Sequence, residues 1–302
     1  MSLLVVGSVA FDALETPYGK VDRTLGGAAT YFSLAASFFS PVKLVGIVGE
    51  DFTVREEAAF RGRRIDLAGL ERAPGKTFFW AGRYSPDLND RTTLATELNV
   101  FAGFRPKLPP SYQHCPFLFL ANIDPMLQRS VLEQVRGRPK LIALDTMNYW
   151  IERTPRELRE TLRRVHLLMI NDQETRQLAS EHNLVRAARL IFALGPRALV
   201  VKRGEYGAWL LTPDSVFAVP GFPLREVRDP TGAGDSFAGG FMGYLASVGR
   251  THEHALRRAM VYGSVLGSFA VERFGVERLA GLTRREIEAR ARDFLRLTSF
   301  RL

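Results

Sequence analysis

The chain has 302 residues, of which 46% are hydrophobic, so it is long enough to bury a large core within one α/β domain. It carries 41 Lys and Arg against 32 Asp and Glu, a formal net charge of +9. The excess basic residues are scattered along amphipathic segments such as 153–164 and 284–296. They therefore indicate solvated helix faces and argue against a nucleic-acid partner.

Cysteine usage and hydropathy indicate the cellular compartment of the protein. Cys115 is the only cysteine, which excludes an intrachain disulfide and a cysteine-rich metal site and is typical of a reducing compartment. Its expected role is burial in the core. The first residues lack a basic region and a cleavage site, and no apolar run approaches the roughly 18 residues that span a bilayer. We therefore expect a cytoplasmic protein without a membrane partner.

The first predicted strand, residues 3–6, is apolar and ends at a glycine, which is typical of a buried strand that delivers its carboxyl end to a site. Asp12 follows closely. A dinucleotide-binding fold requires Gly-x-Gly-x-x-Gly here, whereas residues 7–12 contain one glycine, which argues against an oxidoreductase. The pair Gly26-Gly27 then opens a predicted helix of small residues, where the backbone can approach a small polar substrate.

Between residues 75 and 105 the chain has two aromatic, β-prone stretches, 77–84 and 94–104, separated by a turn. Strands without an intervening helix indicate a small β-sheet lid, which residues of about 13–25 complete. The lid aromatics either stack on a base or sugar, or pack the lid on the domain or on a second subunit in a homodimer; the sequence leaves both open. The aromatics are Phe78, Trp80, Tyr84 and Phe101, and the basic residues that are candidates for contacting phosphate are Arg83 and Arg91. Residues 61–66, before the lid stretches, are expected to be a solvated helix end.

Segments 117–125 and 141–148 are predicted strands that each end in polar residues, as expected where ligands bind at the carboxyl ends of a parallel sheet. Their candidate ligands are Asn122, Asp124, Asp145 and Asn148. The next predicted strand leads into Asn171 and Glu174, whose spacing also fits a helix cap with a charged first turn.

A further strand, residues 198–202, ends at Lys202, which is placed to reach a phosphate. Gly204 and Gly207 bracket the turn that follows. Downstream, the helix predicted over residues 255–269 carries Gly263, whose small size permits either the close approach of a flat ring or helix packing.

The strongest signal is Asp229-Pro-Thr-Gly-Ala-Gly-Asp235, which runs into an apolar helix. Gly232 and Gly234 let consecutive backbone N–H groups approach a ligand, and the start of a helix attracts anions. Asp235 is placed to accept the proton of a hydroxyl that attacks phosphorus, while the backbone of Gly232, Ala233 and Gly234 holds the charge on the transferring group. Helix capping is the alternative role of Asp235, but capping does not account for the glycines on both sides of Ala233.

These motifs resemble the signatures of the ribokinase-like (PfkB-type) carbohydrate and nucleoside kinases, and the resemblance extends over nearly the whole chain. It implies a ribokinase-like fold, a three-layer α/β/α sandwich with a mostly parallel central sheet and a small β-sheet lid. Residues 1–302 would form one such domain. By resemblance, Asp235 is the catalytic base and the backbone of residues 232–234 is the anion hole.

The resemblance also implies the other site residues. It assigns acceptor binding to Asp12, Gly26, Gly27, Tyr31 and Asp124. It assigns nucleotide binding to Asn171, Lys202, Gly204, Gly207, Thr231 and Gly263. Glu174 would hold Mg²⁺ through water, and some relatives place K⁺ beside the residues that match Asp229 and Thr231.

The predicted reaction is transfer of the γ-phosphoryl group of ATP to a hydroxymethyl group of a nucleoside or sugar. Tyr31 stands where most relatives carry Asn, and Ala28 where some sugar-specific members carry Lys. This departure argues against free ribose, and with the lid aromatics it favours a nucleoside. The alternatives are a sugar kinase of the ribose or fructose type and a catalytically silent nucleotide-binding protein; the intact base and anion hole argue against the silent protein.

Overall fold

The computed structural model describes residues 1–299, which form two β-sheets with flanking helices. The strands in these residues are β1 (Leu3–Val6), β2 (Ala10–Thr16), β3 (Gly19–Gly26), β4 (Val42–Val48), β5 (Ile65–Arg72), β6 (Phe78–Tyr84), β7 (Arg91–Glu97), β8 (Phe117–Leu120), β9 (Leu141–Asp145), β10 (Leu167–Asn171), β11 (Ala198–Lys202), β12 (Ala208–Leu211) and β13 (Val216–Val219). The α-helices are α1 (Ala28–Ser37), α2 (Val54–Glu57), α3 (Pro125–Gln134), α4 (Asn148–Arg153), α5 (Pro155–Leu162), α6 (Asp172–Ala179), α7 (Leu184–Phe192), α8 (Ala233–Val248), α9 (Glu253–Ala270), α10 (Glu277–Gly281) and α11 (Arg284–Thr298).

The large sheet has the strand order β13-β12-β11-β10-β9-β8-β1-β4-β5. All neighbours from β11 to β5 pair in parallel, and β12 and β13 add an antiparallel edge. Both faces of the sheet are covered, which is why its inner strands are short apolar runs. Leu3 and Val5 of β1 belong to the core on one side, with α1, α8 and α9, while Leu4 and Val6 belong to the core on the other side, with α3, α5 and α7. The predicted α/β/α sandwich is confirmed.

The second sheet, which we call the lid, has the order β3-β2-β6-β7. Two antiparallel hairpins, β2–β3 and β6–β7, meet through the parallel pair β2–β6. The small sheet that the sequence predicted is therefore present. Its second hairpin ends at Glu97, earlier than expected, because residues 99–103 turn into a short 3₁₀ helix that starts with Asn99 in a left-handed conformation. The expectation that 94–104 is extended throughout was wrong.

The prediction for residues 61–66 was wrong for residues 65 and 66, whereas residues 61–64 form the turn that follows α2, where the N–H of Arg61 donates to the carbonyl oxygen of Glu57 at 3.2 Å. From Ile65 the chain forms β5, the parallel edge strand beside β4, and not a helix end. Its exposed charged residues reflect an edge position, where one side of the strand faces water. Cys115 is buried as expected, and no helix within residues 1–299 is long and apolar enough to cross a membrane.

Helix α8 is held tightly between two other helices. A Cβ added at Gly240 would lie 2.7 Å from the carbonyl oxygen of Tyr262 in α9, and one added at Gly239 would collide with the carbonyl oxygen of Phe32 in α1. The missing side chains let three helices approach closely, which fixes the position of the first turn of α8 against the large sheet.

Candidate active site

Three neighbouring parallel strands end in polar residues at one edge of the large sheet. Asp145, Asn171 and Lys202 are the last residues of β9, β10 and β11. The Nζ of Lys202 donates a hydrogen bond to a carboxylate oxygen of Asp145 at 2.9 Å. The N–H of Asn171 donates to the Glu174 carboxylate at 2.8 Å, and the N–H of Glu174 donates to the Asn171 side chain at 2.7 Å. Asn171 and Glu174 therefore form the helix cap that the sequence offered as the alternative to a ligand-binding role.

The turn before α8 presents backbone donors toward the same edge. Gly232 has a φ of 73°, in the region that favours glycine, and a Cβ there would collide with the ring of Tyr31. The first N–H groups of a helix have no partner within it. That of Gly234 marks a site for an anion, whereas that of Ala233 also donates to the carbonyl oxygen of Pro230 at 3.3 Å. A Cβ added at Gly234 would lie 3.1 Å from the Nζ of Lys202, so the ammonium group stands beside these donors.

Asp229 holds this turn in place. Its side chain is completely buried, and its two carboxylate oxygens accept hydrogen bonds from the N–H of Thr231 and the N–H of Gly275, both at 2.9 Å. The carboxylate thus ties the turn to the loop that follows α9. Burial raises the pKa of Asp229, which the two backbone donors oppose.

Asp235 lies in the first turn of α8 and is electrostatically coupled to the strand ends. Burial and the nearby Asp145 raise its pKa to about 6, while Lys202 opposes the rise. Burial and Asp145 also raise the pKa of Glu174 to about 7. Burial alone would lower the pKa of Lys202, but the carboxylates of Asp145, Glu174 and Asp235 outweigh it and raise that pKa above its ordinary value. One buried cation is therefore surrounded by three carboxylates.

The predicted acceptor residues meet on the other side of the turn. Asp12 of β2 is 4% exposed, and Gly26 leaves room for its carboxylate, because a Cβ at Gly26 would collide with it. Burial, Asp229 and Asp235 raise the pKa of Asp12 to about 8, while the N–H of Gly27 donates to its carboxylate and opposes that rise.

Tyr31 reaches the same place from α1. It is 1% exposed, and its hydroxyl group has no hydrogen-bond partner among residues 1–299. Burial and the nearby Asp12 and Asp229 raise its pKa well above the ordinary value. A buried hydroxyl without a partner beside two carboxylates is placed to bind a ligand hydroxyl.

The lid touches the turn directly. The hydroxyl of Tyr84 in β6 lies 2.9 Å from the hydroxyl of Thr231, within hydrogen-bond distance. Phe78, Trp80 and Tyr84 lie on one face of β6, but they make different contacts: Phe78 stacks on Phe101 with ring centroids 5.3 Å apart, whereas Trp80 is half-buried nearer to Tyr84. The sequence left open whether these aromatics pack the lid or stack on a ligand. Phe78 and Phe101 pack on each other, and Trp80 and Tyr84 face the site.

A cavity of about 490 Å³ lies beside the turn, a volume within the range of small-ligand pockets. Five of the predicted nucleotide-binding and anion-hole residues line it, namely Lys202, Gly204, Gly207, Ala233 and Gly234. Other lining residues come from the lid turn, from residues 221–224 and from α9, and include Asp87, Asn89, Phe222, Ser264 and Gly267.

Several predicted residues have capping or packing roles instead. Asp124 caps α3, where its carboxylate accepts a hydrogen bond from the N–H of Met126 at 2.7 Å. A Cβ at Gly263 would lie 3.0 Å from the carbonyl oxygen of Phe237, so Gly263 packs α9 on α8, the alternative that the sequence had left open. Gly267, one helical turn later, lines the cavity in its place.

Sequence reasoning missed the contribution of the lid turn to the cavity, since no motif marks Asp87 or Asn89. It named Asp145 only as one of four polar residues at strand ends, because a strand-end Asp has no signature of its own. The pairing of Asp145 with Lys202 depends on strand order, which brings residues 57 positions apart together.

Comparison with known proteins completes the description of the site. A family model described as pfkB family carbohydrate kinase matches residues 2–279. The chain is 30% identical over 263 residues to a cytidine kinase of Thermococcus kodakarensis, covering 85% of this chain and 92% of that protein. It is 39% identical over 291 residues to an inositol 3-kinase of Arabidopsis thaliana, covering 90% and 74%. Among solved structures, a putative ribokinase II from E. coli in complex with ATP and Mg²⁺ shares the fold, with a TM-score of 0.75, 20% identity and coverage of 97% and 99%.

Proposed function

The chain belongs to the pfkB family of carbohydrate kinases, and from that premise we propose that it transfers the γ-phosphoryl group of ATP to a hydroxyl group of a nucleoside. One observation carries the proposal: the backbone N–H groups at the start of α8 and the ammonium group of Lys202 line a cavity of about 490 Å³, and Lys202 acts electrostatically on the carboxylate of Asp235 in the same helical turn. An anion site next to a base and a ligand cavity is what phosphoryl transfer to an alcohol requires.

The cavity is proposed to hold the nucleotide. Its lining supports this role, because glycines at 204, 207 and 234 leave the backbone open and Phe222 offers an aromatic surface. Lys202 and the N–H groups of Ala233 and Gly234 would bind the terminal phosphates. The similarity of the fold to a structure solved with ATP and Mg²⁺ is consistent with this proposal.

The residues present also fit Mg²⁺. Within residues 1–299, no three His, Cys, Asp or Glu side chains come together as a metal centre. Mg²⁺ keeps several waters and binds through one or two carboxylates plus phosphate oxygens, and Glu174 would serve it here. Bound Mg²⁺ would neutralise phosphate charge.

Asp235 is proposed as the general base. A carboxylate with a pKa of about 6 is ionised at neutral pH, yet is basic enough to take the proton of an attacking hydroxyl. The acceptor oxygen forms a bond to phosphorus as the bond from phosphorus to the oxygen of the leaving diphosphate breaks. The backbone donors of residues 232–234 stabilise the charge that develops on the phosphoryl oxygens.

Asp12, Gly27 and Tyr31 are proposed to bind the acceptor. The buried carboxyl group of Asp12 accepts hydrogen bonds from sugar hydroxyls through its carbonyl oxygen, and the unpartnered hydroxyl of Tyr31 completes the site. A nucleoside is favoured because the cytidine kinase matches over 92% of its length and because Trp80 offers a ring for stacking. A cyclitol such as inositol is the second candidate, favoured by the 39% identity to an inositol 3-kinase.

The test is a phosphorylation screen of the purified full chain with ATP and Mg²⁺ over nucleosides, inositols, ribose and fructose, with product detected by mass spectrometry. We expect a phosphorylated nucleoside, with kcat/KM at least about 10-fold above that for any inositol. A preference for an inositol would select the second candidate. ATP consumption without a phosphorylated product on any acceptor would overturn both.

Three earlier expectations stay predictions. K⁺ beside Asp229 and Thr231 is tested by comparing activity in K⁺ and Na⁺ buffers. A homodimer through the lid is tested by light scattering with and without acceptor. The cytoplasmic location is tested by cell fractionation.

A further inference from the structure

The tip of the lid hairpin lies where the nucleotide cavity meets the acceptor side. Tyr84 of β6 and Arg91 of β7 are register partners across the hairpin. The turn between them contributes Asp87 and Asn89 to the cavity lining, and the hydroxyl of Tyr84 contacts that of Thr231 in the anion turn. Arg91, whose side chain is exposed, therefore lies at the tip of the lid beside the strand residue that contacts the anion turn.

Trp80 supports the side chain of Arg91. The guanidinium carbon of Arg91 lies 5.1 Å from the centre of the Trp80 ring, within the range of a cation–π contact. The indole itself lies across Gly82, since a Cβ at Gly82 would collide with its six-membered ring. Trp80 is also the register partner of Asp12 in the β2–β6 pair, so both side chains lie on one face of the lid.

The positive charge of Arg91 acts electrostatically on acidic residues of the site. It opposes the rise in pKa that burial causes in Asp12, Asp235 and Glu174, which belong to three different elements. Among residues 1–299, Arg91 forms no ion pair with a carboxylate. Arg83, on the opposite face of the same hairpin, instead pairs with Glu15 at 3.0 Å and points away from the site.

We propose that Arg91 is a catalytic residue delivered by the lid, whose guanidinium group binds oxygens of the phosphoryl group during its transfer. The inference rests on the proposed function. Arg91 takes up no proton: the acceptor proton goes to Asp235, the new bond joins the acceptor oxygen to phosphorus, and the bond to the diphosphate breaks. A guanidinium group suits this role because it stays charged and presents several donors in one plane.

Trp80 is then a positioning residue that aims Arg91. The Tyr84 contact with Thr231 fixes the tip of the lid against the anion turn, so Arg91 is in place only when the lid is closed. Lid closure would in this way complete the catalytic site, and the lid would do more than cover the acceptor.

The test compares Arg91→Gln, Arg91→Lys and the matched control Arg83→Gln, each checked for its melting temperature. For Arg91→Gln we expect kcat to fall on the order of 100-fold or more, with the KM for ATP and the KM for the acceptor changed less than about 3-fold. Arg91→Lys should keep part of the activity, and Arg83→Gln should match the wild type. Guanidinium ion added at millimolar concentration should restore part of the kcat of Arg91→Gln but not change that of Arg83→Gln.

Equal kcat in Arg91→Gln and Arg83→Gln would overturn the proposal, as would a loss confined to the acceptor KM. A second variant tests the support: Gly82→Ala leaves Arg91 intact but displaces the Trp80 ring, and we expect a fall in kcat of about 10-fold. An unchanged kcat in Gly82→Ala would contradict the positioning role of Trp80. Failure of the proposed function itself would show differently, as a wild-type protein without kinase activity.

Discussion

The Nζ of Lys202 lies 2.9 Å from a carboxylate oxygen of Asp145, and both side chains are largely buried at the ends of β11 and β9, the two strands that flank β10. The carboxylates of Glu174 and Asp235 also interact electrostatically with Lys202 and raise its pKa. Removing one partner of a buried ion pair leaves the other uncompensated, which costs more than the pair contributes. The two possible deletions are unequal here, because Asp145 has one cation partner whereas Lys202 has three carboxylates nearby.

Replacing Lys202 with Met should shift the pH profile as well as lower activity. Lys202 holds down the pKa of Asp235, so without it that pKa rises above about 6 and the acid limb of kcat moves to higher pH. We expect kcat at pH 7.5 to fall on the order of 100-fold, from loss of the phosphate contact and of ionised base. Asp145→Asn, as the control, leaves Lys202 charged and should lose less. An acid limb that stays in place in Lys202→Met would contradict this account.

The wild-type profile gives a prediction of its own. Because Asp235 must be ionised to accept a proton, kcat should fall as the pH drops through about 6. Steady-state rates between pH 4.5 and 9, with stability checked at each pH, measure the limb. A kcat that stays level down to pH 4.5 would show that no group of this pKa acts as the base.

Stability should also depend on Asp12. The pKa of Asp12 in the folded protein, about 8, lies far above that of an aspartate in the unfolded chain. The folded state is therefore favoured at low pH, where Asp12 is protonated, and this part of the free energy of unfolding is lost as the pH rises through 8. Asp12→Asn removes the buried charge. The variant should gain stability relative to the wild type between pH 5 and 8, on the order of 1 kcal/mol per pH unit. Urea unfolding at several pH values measures it, and parallel curves for the two proteins would count against the assigned pKa. The same variant should lose acceptor binding.

The anion turn can be tested with a matched pair of glycines. Gly232 and Gly62 have nearly equal φ, 73° and 71°, but a Cβ at Gly62 meets no atom within 4 Å whereas one at Gly232 collides with the Tyr31 ring. Gly62→Ala should therefore cost about 1 kcal/mol, the strain of a left-handed alanine, and leave kcat unchanged. Gly232→Ala should cost more stability and lower kcat by about 100-fold or more, because the backbone donors move. Equal effects in the two variants would mean that Tyr31 does not support the turn.

The fold was predictable because its signals are local. Apolar runs of four to seven residues, each followed by polar residues, are typical of parallel strands covered on both faces, and the glycine-rich turn marks the start of α8. The exception is β5, which was not predicted because an edge strand exposes charged residues and so lacks the apolar run.

Side-chain partners were harder to predict than elements. Spacing alone could not separate Gly263, which packs, from Gly267, which lines the cavity, since both lie on one side of α9. Nor could it show that Trp80 faces the site while Phe78 packs on Phe101, because that division depends on how the lid sits on the large sheet. The pairing of Lys202 with Asp145 depends on the order of the strands in the sheet, which cannot be read from the sequence.

Asp235 is proposed to take the acceptor proton beside the donors of α8. The most direct measurement is single-turnover phosphoryl transfer by Asp235→Asn, which keeps the shape of the side chain, with ATP binding followed by calorimetry. We predict a transfer rate lower by about 1,000-fold, with ATP affinity within about 3-fold of the wild type. Transfer at the wild-type rate by a folded, ATP-binding Asp235→Asn variant would contradict the account.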